Sequence, residues 1–163
     1  MRLYLLRHAD AVQSGKYRDH ERPLTPAGRE AAGRIGDALA ARGERIDLAL
    51  CSDALRARET LDLALAACGA NPELRLAPRL YRAEGDDVLD LLRALPDEAE
   101  TVLAVGHNPA FAEFAVLFAG RGPSADMDRL KRYFPPAALA AFDVKTPWSE
   151  MSWSGGELLA FLA

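Results

Sequence analysis

Leu3-Tyr4-Leu5-Leu6-Arg7-His8-Ala9-Asp10 sets four apolar residues in a row and then places a guanidinium beside an imidazole. An apolar run this short and unbroken suits a strand covered on both faces, as in a parallel sheet flanked by helices. Two further runs share its character: residues 46–51, apolar apart from Asp47, and residues 101–105. The stretches between them carry helix signals. Thr25-Pro26 supplies an N-cap and a first-turn proline, apolar Ala27, Ala31, Ile35 and Leu39 follow at helical spacing, and Gly43 is a stop. Ser52 is placed to cap a second helix whose inner face is Ala54, Ala57, Leu61, Leu65 and Cys68. Asp86 or Asp87 opens a short helix ended by Pro96, and Asn108-Pro109 repeats the cap-plus-proline signal before residues 111–118. Residues 137–144 and 157–162 are expected strands, and 120–136, with Pro123, Pro135 and Pro136, an irregular connection. Strands alternating with helices predict an α/β protein, a three-layer α/β/α sandwich around a mostly parallel central sheet.

Composition sets the outer bounds. A chain of 163 residues, half of them apolar and 27% charged, fits one globular domain over 1–163 with a core of its own. A net charge of −4 gives no reason to expect a nucleic-acid or membrane partner. The apolar run at the start is too short for a signal peptide, and 109–119, interrupted by Glu113, is too short to span a bilayer, so a cytoplasmic protein is expected. Cys51 and Cys68 lie in apolar stretches and are expected as buried free thiols. With no CxxC or Cys/His ligand spacing, no metal site is expected.

In such a fold, ligands bind beyond the carboxyl ends of the strands. Arg7 and His8 follow the first strand, Ser52 and Arg56 the second, and His107 the third, while Arg22 precedes the helix that starts at Thr25. Each alone has an ordinary structural explanation, and His20 is read as exposed loop. Together they describe an anion site. Guanidinium forks match phosphate oxygens, helix N-termini add amide donors, and a neutral imidazole is a competent nucleophile at phosphorus.

These residues resemble the histidine phosphatase superfamily, the phosphoglycerate mutase-like group. Leu5-Leu6-Arg7-His8-Ala9 resembles its RHG signature. Arg22-Pro23-Leu24-Thr25-Pro26-Ala27-Gly28 resembles its R-P-L-T-x-x-G segment, the stretch from Ser52 to Thr60 its S-x-x-x-R segment, and Val105-Gly106-His107-Asn108 its second-histidine motif. The four pieces run in family order and span residues 5–108. The resemblance implies a phosphoglycerate mutase-like fold, His8 as the phosphorylated nucleophile, and Arg7, Arg22, Arg56 and His107 as the phosphate pocket, with no metal or organic cofactor. Short length and the RHAD start are most similar to SixA-type phosphohistidine phosphatases. Only about 40 residues separate Thr60 from Thr101, leaving little room for a lid. The implied substrate is a phosphorylated protein or a small phosphoester, and the implied state a monomer or weak dimer.

Two departures accompany the resemblance. Ala9 stands where the family has glycine, which is expected to tighten the backbone near the phosphate. No motif fixes the proton donor: Glu84 is the first candidate, Asp86 the second and Asp10 the third. The competing readings are a small-molecule phosphomonoesterase and a non-catalytic phosphate-binding regulatory module. A metal hydrolase on His8, His107 and Asp10 is disfavoured, because the flanking guanidiniums repel a cation.

Overall fold

The computed structural model describes residues 1–163 apart from 14 and 44. Seven strands form one mixed sheet: β1 (Arg2–Arg7), β2 (Leu48–Cys51), β3 (Glu73–Leu76), β4 (Thr101–Gly106), β5 (Ala119–Arg121), β6 (Leu139–Val144) and β7 (Gly156–Leu162), in the order β3-β2-β4-β1-β6-β7-β5. The half holding β3, β2, β4 and β1 is parallel, while β6 runs antiparallel to both β1 and β7. Five helices accompany it: α1 (Pro26–Ala40), α2 (Leu55–Cys68), α3 (Gly85–Arg93), α4 (Ala110–Phe118) and α5 (Ser124–Arg132).

The side-chain alternation of β1 divides the core into two. Leu3 and Leu5 pack in the cluster that contains Val88, Leu89 and Leu92 of α3, Phe111, Phe114 and Phe118 of α4, and Leu130 of α5. Tyr4 and Leu6 pack in the other, with Ile35 and Leu39 of α1 and Ala57 and Leu61 of α2. The three-layer α/β/α sandwich with a mostly parallel centre is therefore observed. Among the described residues no helix is long and apolar enough to cross a membrane.

The register places the site. Arg7 pairs with Gly106 and Cys51 with Val105, so β1, β2 and β4 end level with one another. The next residues continue the alignment, with His8 N–H donating to Gly106 O and Ser52 N–H to Val105 O, both at 3.0 Å.

Several local expectations are corrected. The buried stripe of α1 is Gly28, Ala32, Ile35, Gly36 and Leu39 rather than one that includes Ala27, which is exposed. The reason is close approach. A Cβ on Gly28 would lie 2.1 Å from Asp10 O, and one on Gly36 would lie 2.4 Å from Ala64 O, so the glycine face turns inward. That helix ends at Ala40, short of Gly43. Ser52 is not the N-cap of α2, which is Ala54; its hydroxyl lies 2.8 Å from His107 Nε2 and accepts from Ala54 N–H at 3.4 Å. Asn108 does not cap α4: its side-chain amide donates to Phe134 O at 2.9 Å, and the helix starts at Ala110 after a cis Asn108-Pro109 bond. Glu84 is the N-cap of α3, and Asp87 accepts from its N–H at 2.9 Å. Residues 120–136 are no irregular connection but hold most of β5 and all of α5, a polar helix in which only Leu130 is buried. Cys51 is buried as expected, whereas Cys68 is only half-buried; both are free thiols.

Candidate active site

Local structure explains how each side chain reaches the level strand ends. On α2, Arg56, Glu59 and Thr60 share one face by their i, i+3, i+4 spacing. Thr60 Oγ1 donates to Arg56 O (2.6 Å) and accepts from Ala9 N–H (3.0 Å), fixing the chain just beyond His8. Glu59 accepts from Leu24 N–H (2.7 Å) and from Arg29 (3.2 Å), fastening the 22–25 segment to the same helix. The Ala9 methyl is buried in a small apolar cluster with Ala11, Leu24 and Ala32.

His8 has a defined tautomer. Its Nδ1 lies 2.8 Å from Ala9 O, and a carbonyl only accepts, so Nδ1 carries the hydrogen. Its Nε2 accepts from Arg56 Nε–H at 3.2 Å and therefore presents the lone pair. Burial pushes the imidazole down to about 4. The Ala9 hydrogen bond opposes the shift, and the charges of Arg56, Arg7 and, least, Arg22 add to it. At neutral pH His8 is an uncharged base with a basic nitrogen facing a guanidinium.

His107 lies beside it, with ring centroids 5.0 Å apart. Its Nε2 is 2.8 Å from Ser52 Oγ, and burial first, then the neighbouring His8 and Arg56, lower it to about 3. Arg7 NH1 donates to Phe134 O at 2.8 Å, the same carbonyl that holds Asn108. Among the described residues, Arg7 Nε and His107 Nδ1 are buried without a hydrogen-bond partner. Buried polar atoms are nearly always paired, so unpartnered ones at a site point to a polar ligand.

Arg56 is 6% exposed, and each of its nitrogens is engaged. Besides Nε on His8, NH1 donates to Asp19 O (2.7 Å) and NH2 to Asp19 Oδ2 (3.3 Å). Arg22 donates through Nε to Val12 O (2.6 Å) and through NH1 to Asp19 Oδ1 (2.8 Å). It therefore joins the cluster through a carboxylate rather than by contact with His8. Tyr81, on a 3-10 turn at Pro78–Arg82, donates its hydroxyl to Asp19 Oδ2 (2.5 Å) and meets His107 edge-on at 5.7 Å between centroids. His20 is no free loop side chain: it sits on a 3-10 turn at Asp19–Glu21, 3.0 Å from Asp53 and edge-on to Tyr81.

Arg7, His8, Arg56 and His107 thus come together as the sequence predicts. Among the described residues, no hydrogen bond or ion pair ties the three carboxylates offered as proton donor to them. Glu84 is exposed at the start of α3, and no hydrogen bond, ion pair or ring contact links it to His8, Arg56 or His107. Asp86, two residues further on, is exposed as well, and Asp10 accepts from the Thr25 hydroxyl at 2.8 Å. Asp19, Tyr81, Ser52 and Phe134 were not singled out for these roles by sequence reasoning. Asp19 lies three residues before Arg22, ahead of the motif stretch, a position that only the folded turn makes meaningful.

The chain is similar to known proteins. The family model of the histidine phosphatase superfamily (branch 1) matches residues 3–82. An uncharacterized protein of Mycobacterium leprae is 35% identical over 144 residues, 88% of this chain and 87% of that protein, and one of Mycobacterium tuberculosis is 33% identical over 96% of this chain and 98% of its own length. Among solved structures, a candidate phosphohistidine phosphatase SixA of Nakamurella multipartitia superposes with a TM-score of 0.87 at 32% identity, covering 99% of this chain and 95% of that one. A candidate SixA of Agrobacterium tumefaciens gives 0.80 at 32% identity, covering 99% and 97%. The chain belongs to the histidine phosphatase superfamily and is of the SixA type within it.

Proposed function

We propose that the protein is a phosphohistidine phosphatase that acts through a covalent phosphoryl intermediate on His8. The observation that carries this reading is the state of His8: neutral, fixed as the Nδ1–H tautomer, with its Nε2 lone pair set among guanidiniums. In the first step Nε2 attacks phosphorus, the bond from phosphorus to the leaving nitrogen breaks, and the substrate ring leaves as a neutral imidazole that retains the proton on its other nitrogen, so no proton need be supplied. In the second, water attacks phosphorus, the bond to His8 Nε2 breaks, and inorganic phosphate departs with one proton of the water passing to solvent. Arg7, Arg56 and His107 balance the charge of the transferring group, and Arg22 supplies a further guanidinium at the rim.

An imidazole is a better leaving group than an alkoxide, so a site without a fixed carboxylic acid suits phosphohistidine. The two SixA-named structures at 32% identity support the same substrate class. The stretch between α2 and β4 is spent on β3, the Tyr81 turn and α3, which supports access for a protein-borne substrate. No step of this reading uses a metal or cofactor. The test is to compare release of phosphate from a histidine-phosphorylated carrier protein with release from a panel of sugar, nucleotide and aryl monophosphates. The reading expects kcat/KM for the phosphoprotein to exceed that for every small ester by at least about tenfold; a small ester turned over faster identifies a phosphomonoesterase instead.

A further inference from the structure

Asp19 is the one carboxylate that hydrogen bonds tie into the arginine cluster among the described residues. Its two oxygens and its carbonyl take NH groups from Arg22 and Arg56 together with the Tyr81 hydroxyl. The guanidinium groups among them are donors of the kind a phosphoryl group takes. The segment that carries it is a three-residue 3-10 turn that buries no residue, and the Asp19 side chain is 49% exposed. Arg56, by contrast, is held on a long helix at 7% side-chain exposure. Of the two partners, the carboxylate is the one free to move.

The nucleophile is engaged by the same arrangement. The lone pair on His8 Nε2 accepts from Arg56 Nε–H, so a bond to phosphorus forms only after that contact opens. A carboxylate offers two oxygens and one negative charge, whereas a phosphoryl group offers three oxygens and up to two charges, so it outcompetes the carboxylate for guanidinium donors. Tyr81 and Arg22 hold the Asp19 carboxyl far below the usual carboxylate range, and in this state it has no proton to give a leaving group.

We propose that Asp19 is an internal rival of the substrate: its carboxylate occupies the arginine donors of the resting site, and a phosphoryl group enters by displacing it. The inference rests on the reading of this cluster as a phosphoryl site and adds a residue that sets its affinity. It makes Asp19 an element that sets the affinity of the site for any anion that takes the arginine donors.

The experiment titrates inorganic phosphate calorimetrically into the full-length protein and measures KM and kcat for p-nitrophenyl phosphate, in the wild type, Asp19→Asn and Tyr81→Phe. Removing a half-exposed competing anion is expected to tighten phosphate about three- to tenfold and to lower KM by a similar factor, with the change in KM exceeding that in kcat. Tyr81→Phe removes one of the three holds on Asp19 and is expected to tighten phosphate about twofold. Unchanged or weaker phosphate binding in Asp19→Asn overturns the proposal, as does a fall in kcat larger than the change in KM, which would make Asp19 part of proton transfer. If the wild type binds phosphate and turns over the ester, such results refute Asp19 as a rival alone. A wild type that does neither refutes the phosphoryl site as well.

Discussion

Lysine at position 56 would keep the positive charge of Arg56 and discard its shape, which makes Arg56→Lys a sharp test of the site. The guanidinium reaches three places at once: His8 Nε2 at 3.2 Å, Asp19 O at 2.7 Å and Asp19 Oδ2 at 3.3 Å. A lysine ammonium is a single nitrogen on a flexible stem and can reach one of the three positions. The two terminal nitrogens are also the donors that a phosphoryl group takes when Asp19 gives way. Two charge-assisted hydrogen bonds lost in a buried setting, at about 1.5 kcal/mol each, amount to about 3 kcal/mol. At 1.36 kcal/mol per decade, that is a fall of about two orders of magnitude in kcat/KM. The assay is p-nitrophenyl phosphate hydrolysis at pH 7, with thermal unfolding by circular dichroism to show that the variant is folded. A folded Arg56→Lys enzyme within about threefold of the wild type would refute the role given to the fork, since charge alone would then be sufficient.

The histidines give a pH signature. An unfolded imidazole titrates near 6.5, while His8 is lowered to about 4 and His107 to about 3. Between those values the unfolded chain binds protons that the folded one refuses, so stability is fully present above pH 6.5 and declines as pH falls towards 4. Urea midpoints should drop between pH 7 and pH 5, and the acid limb of kcat/KM should lie near 4; a limb near 6.5 would show His8 to be solvated and unperturbed. Gly28→Ala, normally a stabilising change inside a helix, should instead destabilise by about 1–3 kcal/mol, because the added methyl would meet Asp10 O at 2.1 Å and no side chain there can yield. Chemical denaturation reads the sign directly.

The strands that build the site were legible because their residues are apolar without interruption: β1, β2 and β4 are buried almost throughout. β3 was not, since Glu73–Leu76 is an edge strand with Leu74 and Leu76 half-exposed, held by pairing with β2 rather than by a hydrophobic face. α5 escaped for the same reason, being mostly polar, with Leu130 its single buried residue, and flanked by prolines. Of the site, the residues that follow strands could be placed because strand ends lie level. Asp19 and Tyr81 could not, because each comes from a short 3-10 turn whose position depends on packing across the molecule. Ser52 and Asn108 look like helix caps locally, and tertiary partners, His107 and Phe134, claim their side chains.

The central claim is that His8 Nε2 carries the phosphoryl group. Mixing enzyme with substrate for milliseconds, quenching in alkali and locating the label by peptide mass spectrometry tests it most directly, because phosphohistidine survives base and is lost in acid. The account predicts one alkali-stable phosphate, on the peptide containing His8, absent in His8→Ala together with turnover. Turnover undiminished in His8→Ala, or phosphate trapped on another residue, would contradict it.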